Sequence, residues 1–321
     1  MEYRPLGRTG LQVSAVGLGG WQIGGTVALT FEGLGTVAHG YGRVDDRKAI
    51  ELVHQCEDLG INFVDTAPIY GDGHSEQLLG QALQGRRDRW IVCTKGGHGA
   101  TDGRAWTDFS QARILSQMEE SLSRLRTDYV DVYLLHGPKP ADIAKGECLD
   151  ALRKLKAQGK ARFVGVSLGG NHLGVELCRR KLTDVLQQAV SLTSPAAITE
   201  LLPTARDEGV GIIARGVFAA GFLAGGISTA TPFPQDDRRS WMNEDYKRQL
   251  SSLAGKLRAL VSPDRSLAQL CIRFVLDQPG VSTVITGSKS LKHMVHNAKA
   301  ADLPALSAAE TEKLRKLAFS C

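Results

Sequence analysis

The chain has no CxxC pair, no Cys–His pattern at metal-ligand spacing, no long apolar run and no block of like charge. Each absence excludes something. Without paired cysteines or a Cys–His cluster there is no zinc site and no disulfide framework to expect. The six cysteines, Cys56, Cys93, Cys148, Cys178, Cys271 and Cys321, lie far apart and read as reduced thiols in a reducing compartment. No apolar run approaches the roughly 20 residues that cross a bilayer, and MEYRPLGRTGLQVSAVGLGG has no apolar core of signal-peptide length. A cytoplasmic protein with no membrane partner is expected. The 39 basic and 34 acidic residues are spread along the chain, so the net charge of +5 gives no nucleic-acid footprint. It suits an anionic small molecule, because a cleft of one sign concentrates the opposite ion.

What is present is rhythm. VSAVGLG, INFVDT, WIVCTK, VDVYLL, ARFVGVS, DVLQQ, VGIIA and VSTVIT are short and β-branched, and amphipathic stretches lie between them. Ala49, Ile50, Val53 and Cys56 share one helical face, as do Ile114, Met118, Leu122 and Leu125, and then Leu267, Leu270, Cys271 and Phe274. Eight βα units favour a closed α/β barrel, a (β/α)8 TIM barrel, over a doubly wound sheet. The opening EYRPLGRTGLQVSA predicts a hairpin plugging the barrel's N-terminal end, and the whole of 1–321 is expected to form one domain. Residues 24–43 and 226–263 are too long for ordinary connectors and are candidate lids or specificity loops at the C-terminal face.

In such a barrel the strand ends at the C-terminal face carry the chemistry. Asp65 ends INFVD, Lys95 ends WIVCTK, His136 follows VDVYLL, and Tyr70 stands five residues after Asp65. Singly, each has an ordinary use: a turn cap, a solvated strand end, a satisfied histidine, a packing aromatic. Together they offer a phenol, an ammonium that favours its ionisation, and a carboxylate that orients the ammonium. Tyr70 is then a general acid toward a carbonyl oxygen, and a general base in reverse, with His136 donating to the same oxygen.

FVDTAPIYGDGHSEQLLGQAL, with KGG, LLHGP, the opening LGRTGLQVSAVGLGGWQIGG and the closing QPGVSTVITGSKSLKHMVHNAKA, resembles the aldo/keto reductase superfamily over nearly the whole chain. The resemblance implies a catalytic tetrad of Asp65, Tyr70, Lys95 and His136. It also implies direct hydride transfer from NADPH to a carbonyl carbon without a metal. It places Ser167 and Gln187 at the nicotinamide carboxamide, and Arg215, Gly216, Phe218 and Leu223 in the loop over the pyrophosphate. Gly287, Ser288, Lys289 and His293 are placed at the adenosine phosphate and Asn297 at the adenine. Gly20, Trp21 and Asp65 also border the cofactor, while Trp21, Tyr70 and His136 surround the substrate. Trp21 reads equally well as structural, and Trp106 has the same standing.

The chain departs from the family's pattern at Leu168, where an amide is usual, at Val190, where an aromatic commonly stacks on the nicotinamide, and at His293, where many members carry Arg. These leave Lys289 to carry the NADPH preference, with NADH also possible. The partner expected is a small-molecule carbonyl or alcohol. The alternatives are a sugar or alcohol dehydrogenase working oxidatively, or a cofactor-binding regulatory subunit like those that accompany potassium channels.

Overall fold

In the computed structural model, which describes residues 1–319, the chain opens with an antiparallel hairpin of β1 (Tyr3–Pro5) and β2 (Gln12–Ser14). Cys321 lies outside the described residues. Gly7 at the turn has φ +55°, and a Cβ there would lie 2.2 Å from the backbone nitrogen of Gly211. Only glycine lets the turn press this closely against the barrel. Leu6, Leu11 and Val13 thereby join Phe63, Ile91, Cys93, Val132, Leu134, Val185 and Ile213 in an apolar cluster inside the barrel's N-terminal end. The expected plug is there.

The barrel strands are β3 (Val16–Gly19), β6 (Phe63–Asp65), β7 (Ile91–Gly96), β10 (Val130–His136), β11 (Ala161–Ser167), β12 (Val185–Ala189), β13 (Gly211–Arg215) and β14 (Val281–Gly287). They close in chain order, all parallel, so the fold is a (β/α)8 barrel. Val13 and Ser14, read from sequence as part of the first barrel strand, belong instead to the plug. The helices are α1 (Asp46–Asp58), α2 (His74–Ala82), α3 (Gln111–Leu125), α4 (Pro140–Lys145), α5 (Glu147–Ala157), α6 (Asn171–Arg179), α7 (Leu202–Asp207), α8 (Glu244–Arg258), α9 (Leu267–Leu276), α10 (Leu291–Ala298) and α11 (Ala308–Phe319). Ile114, Met118, Leu122 and Leu125 are all buried, as their spacing predicts, and Ser110 caps α3 by accepting from the backbone N–H of Arg113. On α1 the buried face is Ala49, Leu52, Val53 and Cys56, with Ile50 at its margin.

Both long insertions are structured. Residues 24–43 form the hairpin of β4 (Val27–Phe31) and β5 (Gly35–His39), which pairs through Thr30 and Arg104 with a second hairpin, β8 (His98–Thr101) and β9 (Arg104–Thr107). A four-stranded sheet therefore stands over the C-terminal mouth, built from the segments after the first and third barrel strands. Within 226–263, Asn243 caps α8, whose Leu250, Leu253, Ala254 and Leu257 are buried. The sequence reading took this stretch as a loop, and the structure puts a helix of 15 residues in it.

Candidate active site

Parallel register runs the sequence-implied residues round the mouth with a stagger of two residues from Asp65 to Lys95 and again from Lys95 to His136. Asp65 pairs with Gly19 and Cys93, Lys95 with Leu134, and His136 with Ser167, which pairs in turn with Gln187. Gly20 follows β3, and its amide donates to the Asp65 carbonyl at 2.7 Å. A Cβ on Gly20 would stand 2.8 Å from that oxygen, so glycine is what lets the two chains meet.

At the centre is a buried ion pair. The Lys95 ammonium donates to Asp65 Oδ1 at 2.7 Å and to the Thr66 carbonyl at 2.8 Å, and it lies 3.4 Å from the Tyr70 hydroxyl. Lys95 is 0% exposed and Asp65 3%. Burial pulls the Lys95 pKa down, but the Asp65 carboxylate, followed by Tyr70 and Cys93, overcomes it, and the net shift is upward. Lys95 stays charged. For Tyr70 the balance goes the other way from the sequence expectation: burial raises its pKa, and the lowering effect of Lys95 does not offset that. The phenol keeps its proton near neutrality.

His136 meets Tyr70 edge to face at 6.2 Å, and His98 meets His136 at 5.2 Å. Burial, then Lys95, His98, Arg215 and His39, hold the His136 pKa well below the usual imidazole range, so its ring is neutral. Its Nδ1 is buried without a partner. Trp21 lies nearly parallel to Tyr70, 5.4 Å between centroids and 9° between planes, and packs against His39 at 5.0 Å and Tyr41 at 5.3 Å. Trp21 is thus at the mouth. Trp106 is not; it lies in the outer hairpin with the Arg113 guanidinium 4.2 Å over its ring.

Some of the residues implied for the cofactor already hold one another. Ser167 donates to Gln187 Oε1 at 3.0 Å, and Gln187 Nε2 donates to Asp65 Oδ1 at 2.6 Å. Leu168 and Val190 are buried in the main core cluster. The Leu168 carbonyl accepts from Arg215 at 2.8 Å. Gly216 is exposed with φ +72°, Phe218 is half-buried, and Leu223 is fully buried beneath that loop. The Lys289 ammonium donates to the carbonyls of Tyr41 at 2.7 Å and Arg43 at 3.0 Å, tying down the end of the 24–43 insertion. Ser288 approaches His293 Nδ1 at 3.4 Å, and Asn297 is buried on α10. The Ser290 cap of α10 makes no side-chain hydrogen bond. An NAD(P) molecule fits this donor set: an uncapped helix N-terminus behind Ser288 and Lys289, an Arg215 guanidinium that among the described residues pairs with no carboxylate, and an exposed glycine loop between them.

Sequence reading missed His39, Tyr41, His98 and Arg238 as neighbours of Trp21 and His136. They come from three separate segments, and only tertiary closure assembles them.

The family model "Aldo/keto reductase family" matches residues 15–318. Aldo-keto reductase YhdN of Bacillus subtilis is 31% identical over 299 residues, covering 90% of this chain and 85% of that protein. L-galactose dehydrogenase of Arabidopsis thaliana is 31% identical over 313 residues, covering 94% and 88%. The holo form of an aldo-keto reductase from Bacillus halodurans superposes with a TM-score of 0.80 at 29% identity, covering 100% and 97%. The chain therefore belongs to the aldo/keto reductase family and is an NAD(P)-dependent oxidoreductase.

Proposed function

We propose that the chain reduces an aldehyde or ketone to the alcohol with NADPH, that Tyr70 gives the proton, and that residues 1–321 act as one cytoplasmic unit. The observation that carries this reading is the Tyr70 hydroxyl, buried, protonated and 3.4 Å from a Lys95 ammonium fixed by Asp65. When bound, NADPH supplies the hydride. The remaining work falls to side chains. Tyr70 donates to the carbonyl oxygen as negative charge develops there, and the neighbouring ammonium stabilises the phenolate left behind. Asp65 holds Lys95 in place and charged. His136, neutral and with a free ring nitrogen, orients the same oxygen. Burial keeps the Tyr70 phenol protonated near neutrality, the state that donates in reduction, and the same group takes the proton back when the reaction runs in reverse.

For the cofactor, Ser167 and Gln187 are read as the carboxamide partners, released from one another on binding. Arg215, Gly216, Phe218 and Leu223 border the pyrophosphate, and Gly287, Ser288, Lys289, His293 and Asn297 the adenosine end, with Gly20 and Trp21 flanking the nicotinamide side. Because Lys289 is engaged by two carbonyls, NADH is accepted as well as NADPH. The test is Tyr70→Phe. NADPH affinity, read by fluorescence titration, should hold while carbonyl turnover falls by about 10²–10⁴-fold. Turnover within a few-fold of the parent protein would remove Tyr70 from the reaction.

A further inference from the structure

We propose that the substrate bears a carboxylate a few bonds from its carbonyl and that Arg238 receives it. The inference rests on the reading of Tyr70 as proton donor.

Arg238 begins the single turn Arg238–Trp241 and reaches back over the mouth. Its guanidinium lies 4.6 Å above the Trp21 ring, with Tyr41 at 5.9 Å and Trp241 at 5.8 Å. The separations of 5.4 Å from Tyr70 to Trp21 and 4.6 Å from Trp21 to Arg238 place it within about 10 Å of the phenol ring. The adjacent carboxylate is already used: Asp237 takes Arg239 through Nε at 2.8 Å and Nη2 at 2.5 Å. The polar contact of the Arg238 side chain is a long one, from Nη1 to the Tyr41 hydroxyl at 3.5 Å, and among the described residues no carboxylate lies within ion-pair distance of it.

The surroundings are donor-rich. Among the described residues seven buried side-chain nitrogens and oxygens lack a partner, and four are at this mouth: Trp21 Nε1, His39 Nδ1, His136 Nδ1 and Arg238 Nε. The indole and guanidinium nitrogens can only donate. The carboxylate at the mouth, Asp65, is held by Lys95 and Gln187. A half-buried cation with no counter-charge is costly, and a planar carboxylate matches a guanidinium in both charge and shape. A neutral polyol would satisfy the donors and leave the cation with only the faces of Trp21, Tyr41 and Trp241 to answer it. Arg215, turned toward the Leu168 carbonyl, is read with the cofactor, which leaves Arg238 for the substrate.

The experiment compares kcat/KM for 4-formylbenzoate and its uncharged methyl ester at saturating NADPH, in the parent protein, Arg238→Gln and Arg238→Lys. The parent should favour the acid by at least about tenfold, Arg238→Gln should bring the ratio close to one, and Arg238→Lys should keep part of it, since charge survives and the planar fork does not. In parallel, calorimetry measures benzoate and benzamide binding to the NADP⁺-loaded protein; benzoate should weaken in Arg238→Gln and benzamide should not. A parent ratio of one or below, a ratio indifferent to Arg238, or a loss of NADPH affinity matching the loss for the acid would overturn the proposal, the last by placing the guanidinium on the cofactor. If neither aldehyde is reduced but benzoate binding still depends on Arg238, the reading of Tyr70 fails and the carboxylate site stands.

Discussion

Replacing Asp65 by Asn leaves the Lys95 ammonium fully buried with only the Thr66 carbonyl and the Tyr70 hydroxyl as acceptors. Asparagine keeps the shape of the carboxylate and removes its charge. Breaking a buried ion pair from one side costs about 3–5 kcal/mol, because the surviving charge is neither solvated nor answered. Near 2 °C per kcal/mol for a chain of this size, the melting temperature should fall by about 6–10 °C. The double variant Asp65→Asn/Lys95→Met removes the stranded charge and should recover at least about 2 kcal/mol, while turnover stays lost in both. Urea unfolding followed by circular dichroism measures the stability, and NADPH oxidation the turnover. If the double variant is no more stable than the single one, the loss came from packing, and the account of the pair as an electrostatic unit is wrong.

Burial at the mouth also makes the fold acid-sensitive. His39 is lowered to about 4, first by burial and then by Arg238, so the unfolded chain takes up its proton before the folded one does. Stability present above about pH 6.5 should drain away toward pH 4, by up to about 1.4 kcal/mol per pH unit for such a histidine, and His39→Gln should flatten the slope. A parallel slope in the variant would place the sensitivity elsewhere, with His98 and His136 next in line. Lys289→Ala should weaken NADPH more than NADH, since only NADPH carries the 2′-phosphate. Equal losses in cofactor titrations would mean that the side chain serves only to tie Tyr41 and Arg43.

The sequence by itself determined the barrel, the plug and the mouth at which Asp65, Lys95, His136 and Tyr70 meet. Those features are written in local patterns: a period of 3.6 between β-branched runs, and polar residues at or just after the C-terminal ends of strands that close into one barrel. The family resemblance put Trp21 at the substrate pocket beside an equal structural reading, and in the fold its ring stacks on Tyr70. The tertiary structure alone decided what covers the site and what the charges do there. His39, His98 and Arg238 lie on segments with no periodic signal, and they converge because two hairpins pair across the mouth and one turn folds back over Trp21. The upward shift of Tyr70 and the engagement of Lys289 follow from burial and from backbone carbonyls brought near from 246 and 248 residues away in sequence. Desolvation and long-range contacts are properties of the closed chain, and no local spacing encodes them.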